Sequence, residues 1–208
     1  FYGLPIKVGE GVLIPRPDTE TIIDTILEKY NDRIKSSPVI ADLCSGSGCI
    51  AITLKKYIPN SDVTAVEYSD EAIEYLKKNT QLNGVDIRIV KGDVLDEKTA
   101  QSFEKLDIVV CNPPYLTKEE MENLQKEVTF EPECALSGGD DGLDYYRKIT
   151  SVWKNSIKGG GLILYEIGIN QENDVTDILC ENGFENVIHS RDTAGIIRII
   201  SATRKQED

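Results

Sequence analysis

The sequence predicts an α/β fold: a doubly wound, mainly parallel sheet of seven strands with an antiparallel last strand, preceded by a short hairpin-like segment and a helix. Two observations support it. From residue 39 onward, short apolar runs alternate with amphipathic stretches at helical spacing. The last two apolar runs, 184–191 and 196–203, are only four residues apart, too few for a helical crossover, so the last strand should pair antiparallel with its neighbour.

The first helix is predicted in "RPDTETIIDTILEKYNDR", with Asp18 or Thr19 as its cap and isoleucines at helical spacing. Strands are predicted at 39–44, 62–68, 87–92, 106–111, 161–167, 184–191 and 196–203, and further helices at about 48–57, 70–82, about 143–156 and 171–182. The stretch 112–142 has no clear periodicity, and long loops in compact domains are usually functional. We expect residues 1–36 to form an N-terminal segment packed on a principal domain, 37–208.

Composition limits the class of protein. A chain of 208 residues with 40% hydrophobic content can bury one well-formed core. No apolar run reaches the ~20 residues that cross a bilayer, and the first residues lack the pattern of a signal peptide. The five cysteines form no C-x-x-C pair and are odd in number, which favours reduced thiols. We therefore expect a cytoplasmic protein without a membrane partner.

The net charge and the single histidine limit the kinds of partner and site that the chain can have. The net charge of −13 is spread along the chain and repels phosphate backbones, so direct nucleic-acid binding is disfavoured. His189 is the only histidine, which leaves little room for a Ser-His-Asp triad or a histidine metal cluster. No metal site is expected.

Three polar features end three successive predicted strands. Gly46 and Gly48 follow the first strand and precede a helix, so the backbone can approach a ligand there. Glu67 ends the second strand, where its carboxylate could accept both hydroxyls of a ribose. Asp93 ends the third, where it could accept a hydrogen bond from an adenine amino group while Val94 covers the ring. The order of a glycine loop and two acids after successive strands predicts a nucleoside-containing cofactor. NAD remains an alternative, because Gly46-x-Gly48-x-x-Ala51 also matches the loose dinucleotide-binding pattern.

The sequence "VCNPPY" ends the fourth predicted strand, at the same sheet edge. The Asn112 side-chain oxygen and the Pro113 carbonyl are two acceptors, and neither Pro113 nor Pro114 has an N–H to compete. A planar NH2 group could donate one hydrogen to each, with the Tyr115 ring packed on its face. Holding such a nitrogen in line with a methyl group supplies much of the catalysis of methyl transfer, and no strong base is needed.

At these residues the chain resembles the S-adenosylmethionine-dependent methyltransferases that act on planar nitrogen, and more closely the protein-(glutamine-N5) methyltransferases of peptide-chain release factors. The segments that carry the resemblance are "VLIPRPDTE", "DLCSGSGCIAI", "VCNPPY", "FEPECAL", "LYEIG" and "RDTAG". The resemblance implies a Rossmann-like fold and S-adenosylmethionine as the cofactor. The family's small helical N-terminal domain is expected to be absent from this chain.

The resemblance also implies the site. Cofactor binding is expected at Cys44, Ser45, Gly46, Gly48, Glu67, Asp93, Val94 and Asn112. Substrate binding is expected at Asn112, Pro113, Pro114 and Tyr115, with Asn112, Pro113 and Tyr115 as the catalytic residues. The substrate would be the glutamine of a release factor's Gly-Gly-Gln loop, and the enzyme is expected to be a monomer.

Two other functions stay open at this point. An adenine-N6 methyltransferase would hold the same kind of planar NH2 group, although the net charge of −13 opposes it. A non-catalytic nucleoside-binding module would keep the fold but would have no need of an intact Asn-Pro-Pro-Tyr.

Overall fold

The computed structural model describes residues 1–29, 37–126 and 128–206. A seven-stranded sheet forms its centre, in the order β3-β2-β1-β4-β5-β7-β6. The strands are β1 (Val39–Leu43), β2 (Asp62–Glu67), β3 (Arg88–Lys91), β4 (Leu106–Cys111), β5 (Ile157–Glu166), β6 (Phe184–Arg191) and β7 (Ile197–Arg204).

Helices connect the parallel strands and cover both faces of the sheet. They are α1 (Glu20–Lys29), α2 (Cys49–Tyr57), α3 (Asp70–Asn83), α4 (Glu97–Gln101), α5 (Lys118–Glu122), α6 (Asp144–Trp153) and α7 (Glu172–Glu181). The prediction omitted α4 and α5 because five residues are too few to show a helical period. It also began β5 at 161 rather than Ile157, because the glycines at 159–161 hide the strand pattern.

The predicted fold class is confirmed. β1 to β5 pair in parallel, and β7 pairs antiparallel with both β5 and β6. In the register, Leu43 of β1 lies beside Cys111 of β4, and Cys111 lies beside Tyr165 of β5. The carboxyl ends of these strands therefore meet at one edge of the sheet, where ligands of open α/β folds bind.

Two apolar clusters, one containing Trp153 and Tyr146 and the other Ile22, Ile26 and Leu76, account for most of the core. These side chains are fully buried. The burial follows the sequence pattern, because central parallel strands covered on both faces read as nearly continuous apolar runs.

The hairpin expected at the N-terminus is wrong. Within residues 1–16 the chain makes turns but no strand. Its backbone groups bond instead to asparagines of α3: the Lys7 N–H donates to Asn79 Oδ1 at 2.7 Å, Asn79 Nδ2 donates to the Lys7 carbonyl at 2.9 Å, and Asn83 Nδ2 donates to the Pro5 carbonyl at 2.9 Å. These side chains replace the ladder that a hairpin would provide.

The first helix begins differently from the prediction. A 3-10 turn, Pro17–Thr19, precedes α1. Asp18 lies 3.2 Å from Arg198 Nη2, and Thr19 accepts a hydrogen bond from Asn112, so both side chains are engaged at the sheet edge. The predicted end of this helix and the boundary between residues 36 and 37 involve residues outside the described ranges, and the two-part division stays a prediction. The helices of the described ranges all lack the length and hydropathy of a transmembrane segment.

Candidate functional site

A cavity of about 370 Å³ opens at the carboxyl ends of β1, β2, β3 and β4. We call it the first cavity. The predicted cofactor residues on its wall are Cys44, Ser45, Gly46, Glu67, Asp93, Val94 and Asn112. The sheet topology thus brings together side chains that lie far apart along the chain.

Glu67 organises the glycine loop. Its Oε2 accepts the Gly46 N–H at 2.7 Å, and its Oε1 accepts the N–H groups of Tyr68 and Ser69, each at 2.8 Å. An ionised carboxylate has about four acceptor positions, so these three bonds leave about one for a ligand. Two ribose hydroxyls could bind here only if Glu67 released part of the loop.

Gly48 has a packing role in this structure. It adopts a left-handed φ of 81°, its N–H donates to the Ser45 carbonyl at 2.8 Å, and a Cβ there would lie 3.0 Å from Leu76. It is not among the residues that line the first cavity. Its glycine is explained by the turn and by the approach of α2 to α3.

Asp42 near the end of β1 bonds to α2, the helix that follows the glycine loop. It is fully buried, and its Oδ2 accepts the Ala51 N–H of α2 at 3.0 Å. Its Oδ1 has no hydrogen-bond partner among the described residues. Burial raises the pKa of this carboxyl to about 7, although the bond from the Ala51 N–H and the neighbouring Ser45 hydroxyl, which donates to the Asp42 backbone carbonyl, lower it.

Asp93 and Val94 lie where β3 leads into the next loop. Asp93 Oδ1 accepts the Leu95 N–H at 2.8 Å, which orients the carboxylate at the cavity wall. Val94 is buried, and its carbonyl accepts a hydrogen bond from Trp153 Nε1 at 2.8 Å. The indole of the core therefore fixes this part of the wall.

Asn112 lies between two cavities. A second cavity of about 380 Å³ lies next to the first, and Leu13, Arg16, Asn112 and Ala135 line both. Asn112 Nδ2 donates to Thr19 Oγ1 at 3.3 Å. This asparagine is thus in contact with both spaces, which lets it act on a group that enters from either side.

The rest of the predicted Asn-Pro-Pro-Tyr motif divides between the cavities. Pro114 lines the first cavity and Tyr115 lines the second, whereas Pro113 is buried and lines neither. Burial raises the pKa of the Tyr115 hydroxyl well above its usual value, so the phenol stays neutral.

Gln171 fixes the backbone after the motif. Its Nε2 donates to the Tyr115 carbonyl at 3.0 Å and to the Gly142 carbonyl at 3.4 Å, while its Oε1 accepts the Gly168 N–H at 2.8 Å. Gly142 has a φ of 75°, and a Cβ there would clash with the Tyr115 carbonyl. Sequence reasoning missed these hydrogen bonds of Gln171, because a glutamine preceding a helix has no distinctive pattern.

Two arginines, Arg16 on the wall of both cavities and Arg198 on β7, join segments that are distant in sequence. Arg16 pairs with Glu131, whose side chain is almost fully buried. Arg198 Nη2 lies 3.2 Å from Asp18, and its Nε lies 3.3 Å from Asp192. Three of the sequence segments quoted above, "RPDTE", "FEPECAL" and "RDTAG", are therefore held to one another by arginines.

Glu166 is another residue at the site that sequence reasoning did not single out. It ends β5, lines the second cavity, and is only 2% exposed. A signal was present, since "LYEIG" places one acid at the end of a buried apolar strand. Charged residues are almost never fully buried without a partner or a function.

Comparison with known proteins assigns the chain to a family. Residues 19–138 match the family model described as the methyltransferase small domain. The release factor glutamine methyltransferase of Clostridium acetobutylicum is 43% identical over 207 residues, covering 98% of this chain and 72% of that protein. The protein of the same name from Thermodesulfovibrio yellowstonii is 37% identical over 202 residues, covering 96% and 71%. The chain belongs to the release factor glutamine methyltransferase family.

A solved structure agrees at the level of the fold. The crystal structure of a methyltransferase from Pyrococcus furiosus has a TM-score of 0.72 with this chain and covers 98% of it and 90% of that chain, at 18% identity. The predicted Rossmann-like methyltransferase fold is confirmed. Family and fold together imply S-adenosylmethionine as the methyl donor.

The first cavity fits this cofactor. Its volume falls within the range of small-molecule sites, and apolar side chains such as Val66, Val94 and Leu95 share its wall with the acids Glu67 and Asp93. Apolar surface suits an adenine ring, and carboxylates suit amino and hydroxyl donors.

Proposed function

We propose that this chain transfers a methyl group from S-adenosylmethionine to the side-chain amide nitrogen, N5, of the glutamine in a Gly-Gly-Gln loop of a peptide-chain release factor. The observation that supports this most is the position of Asn112 on the wall of both cavities. A cofactor in the first cavity and a glutamine side chain in the second would meet at this residue.

The cofactor residues proposed are those on the first cavity, with Glu67 and Asp93 as acceptors and Val94 as apolar cover. Ser45 and Gly46 would present backbone groups to the cofactor, and Cys44 lines the same cavity. When bound, S-adenosylmethionine supplies an electrophilic methyl group on a sulfonium centre. Gly48 supports the loop through its turn and its packing.

Asn112 and Pro113 would orient the substrate. The Asn112 Oδ1 accepts one hydrogen of the glutamine amide, and the Tyr115 ring packs on the amide plane. The Pro113 carbonyl accepts the other hydrogen, although Pro113 is buried and lines neither cavity, so this bond requires the amide to move beyond the cavity wall. The amide nitrogen is a weak nucleophile, so holding its lone pair toward the methyl group lowers the barrier mainly by orientation. As the N–C bond forms, the bond between the methyl group and sulfur would break, its electron pair would stay on the sulfur of the departing S-adenosylhomocysteine, and one N–H proton would pass to water.

The partner proposed is the release factor alone. The net charge of −13 disfavours nucleic acid, and we propose a monomer that works in the cytoplasm, where release factors act. The test is incubation with labelled S-adenosylmethionine and either a release factor or adenine-containing DNA. Label in the glutamine of the release factor is expected. Label in DNA and none in protein would replace this proposal with an adenine-N6 methyltransferase.

A matched control uses a release factor whose loop glutamine is changed to glutamate. It keeps the size of the side chain but has no amide nitrogen, so no label should be incorporated. Label in this variant would place the methyl group on another atom and would exclude glutamine as the acceptor.

A further inference from the structure

Glu166 carries an unexplained buried acceptor. The residue is 2% exposed, it lines the second cavity, and its Oε2 has no hydrogen-bond partner among the described residues. Leaving a carboxylate oxygen buried without a donor costs free energy. A buried acid at a substrate cavity therefore calls for a functional reason.

The surroundings of Glu166 connect it to Asn112. The two residues end neighbouring parallel strands, since Cys111 of β4 is in register with Tyr165 of β5. Burial raises the pKa of the Glu166 carboxyl to about 7, while the nearby Thr19 hydroxyl, the charge of Arg198 and the nearby Asn112 amide oppose this rise. Thr19 itself accepts from Asn112 Nδ2. Asn112, Thr19 and Glu166 thus form one polar cluster.

The titratable groups around this carboxyl come from several elements. They are Asp18 before α1, Arg198 on β7, Tyr115 after β4, Tyr146 on α6 and Cys49 on α2, with Arg16 and Glu120 on the wall of the same cavity. Arg198 is shared with Asp18 and Asp192, so its charge is not devoted to Glu166.

An asparagine amide has two ends of nearly equal shape, and its terminal torsion is broad. For Asn112 Oδ1 to accept a hydrogen from a substrate, the NH2 end must point away from the substrate and toward acceptors. Thr19 Oγ1, 3.3 Å from Nδ2, is one such acceptor. An ionised Glu166 can only accept, so it can hold the Thr19 hydroxyl hydrogen and the Asn112 NH2 group on its side.

We propose that Glu166 is a positioning residue, which with Thr19 fixes the Asn112 amide so that its oxygen faces the substrate. The inference rests on the proposed function, because it concerns how Asn112 receives the glutamine amide. A protonated Glu166 becomes a donor and favours the opposite orientation, in which the Asn112 oxygen turns toward the acid. Methyl transfer should therefore rise as Glu166 loses its proton.

The test compares the parent with Glu166→Gln in single turnovers at saturating S-adenosylmethionine, with a release factor as acceptor. The parent rate should rise as the pH increases through about 7, because the ionised acid is the active form. Glu166→Gln should be slower by about tenfold or more at high pH, with no step near neutrality. Its affinity for S-adenosylmethionine, measured by calorimetry, should stay within about twofold of the parent.

A matched control is Glu185→Gln, which removes the same charge from an exposed position on β6, outside both cavities. It should keep the rate and the pH profile of the parent. If Glu166→Gln does not fold, Thr19→Val and Thr19→Ser serve instead, because only the second keeps the hydroxyl. Thr19→Val should lose the rate and Thr19→Ser should retain it.

The sharpest test is the same substitution in an Asn112→Asp background. A carboxylate at position 112 has no NH2 end to orient, and it lies near a second acid. Glu166→Gln should then cost nothing or increase the rate. An equal loss in both backgrounds would show that Glu166 does not act through the Asn112 amide, and would overturn the inference.

Nuclear magnetic resonance separates this inference from the proposed function. The Asn112 side-chain NH2 signals should shift with a midpoint near pH 7 in the parent and not in Glu166→Gln, whether or not any acceptor is methylated. Absence of that titration would overturn the positioning role. A parent that shows the titration but never labels a release factor would instead refute the proposed function.

Discussion

Arg16 Nη2 lies 2.8 Å from Oε1 and 2.7 Å from Oε2 of Glu131, so one guanidinium nitrogen joins two segments 115 residues apart in the chain. The Glu131 side chain is only 5% exposed, and the Ile14 N–H also approaches its Oε1, at 3.4 Å. Because Arg16 lines both cavities, the pair holds the long loop after β4 against the N-terminal segment at the site itself.

Arg16→Met should loosen the contact between the long loop after β4 and the N-terminal segment. It leaves the nearly buried Glu131 carboxylate without its cation, and we expect S-adenosylmethionine affinity to fall by about 1 kcal/mol, or about fivefold. Calorimetry on the parent and variant would measure it. Lys77→Met is the control, because it breaks an exposed pair with Glu74, and equal losses in both variants would contradict the role given to Arg16.

Glu67→Ala should weaken S-adenosylmethionine binding by ~1–3 kcal/mol while the fold stays intact. The reason is double, since the variant loses an acceptor for the cofactor and frees the N–H groups of Gly46, Tyr68 and Ser69. Calorimetry gives the affinity, and hydrogen exchange at these amides reports the loop. Unchanged affinity would show that the acid serves the loop alone, and a preference for NAD would show that the cavity was misassigned.

Asn112→Ala should act mainly on the methyl-transfer step. Removing the proposed acceptor should raise that barrier by ~2–4 kcal/mol, comparable with the loss of one preorganised oxyanion-hole donor. Asn112→Asp should retain more activity than Asn112→Ala, because it keeps an acceptor of nearly the same shape. Single turnovers at saturating cofactor measure both, and a parent-like rate in Asn112→Ala would reduce the motif to a stiff turn.

Gln171→Leu should damage the same step without touching either ligand directly. It removes the donor to the Tyr115 carbonyl and the acceptor for the Gly168 N–H, which frees the backbone after the motif. We expect the free energy of unfolding to fall by about 1–3 kcal/mol, together with a slower methyl-transfer rate. Gln171→Glu keeps an acceptor for the Gly168 N–H but has no donor for the Tyr115 carbonyl. Its methyl-transfer rate should therefore fall, while the Gly168 N–H stays protected from hydrogen exchange. Full protection and full rate in both variants would contradict this role of Gln171.

The buried acid Asp42 predicts a pH dependence of stability. Burial raises its pKa from 3.8 unfolded to about 7 folded, so the folded state holds the proton more tightly. This contribution is fully present below about pH 3.8 and is lost as the pH rises to about 7. Asp42→Asn should therefore lose less stability than the parent between about pH 5 and about pH 8, by on the order of a few kcal/mol.

Chemical denaturation at several pH values measures this difference. Asp62→Asn, at an exposed position on β2, is the matched control and should follow the parent curve. The free energy of unfolding of the parent is expected to fall more between these pH values than that of Asp42→Asn. Identical slopes in parent and Asp42→Asn would mean that the carboxyl at position 42 titrates normally.

The sequence by itself determined the sheet and the positions of its principal acids. Apolar patterns located every strand of the sheet. The central strands stand out most, because parallel strands covered on both faces read as continuous apolar runs. The spacing of Gly46, Glu67 and Asp93 after successive strands indicated a shared edge, because carboxyl ends of parallel strands lie side by side. The motif that begins at Asn112 needed no structure to stand out.

Only the tertiary structure decided which side chains meet there. The N-terminal segment forms no hairpin, and Asn79 and Asn83 of α3 bond to its backbone groups instead. Glu67 proved to be engaged by three backbone N–H groups, and Glu166 came next to Asn112 because β5 lies beside β4 in the sheet. Such contacts depend on strand order and loop path, which join residues far apart in the chain and leave no periodic trace in it.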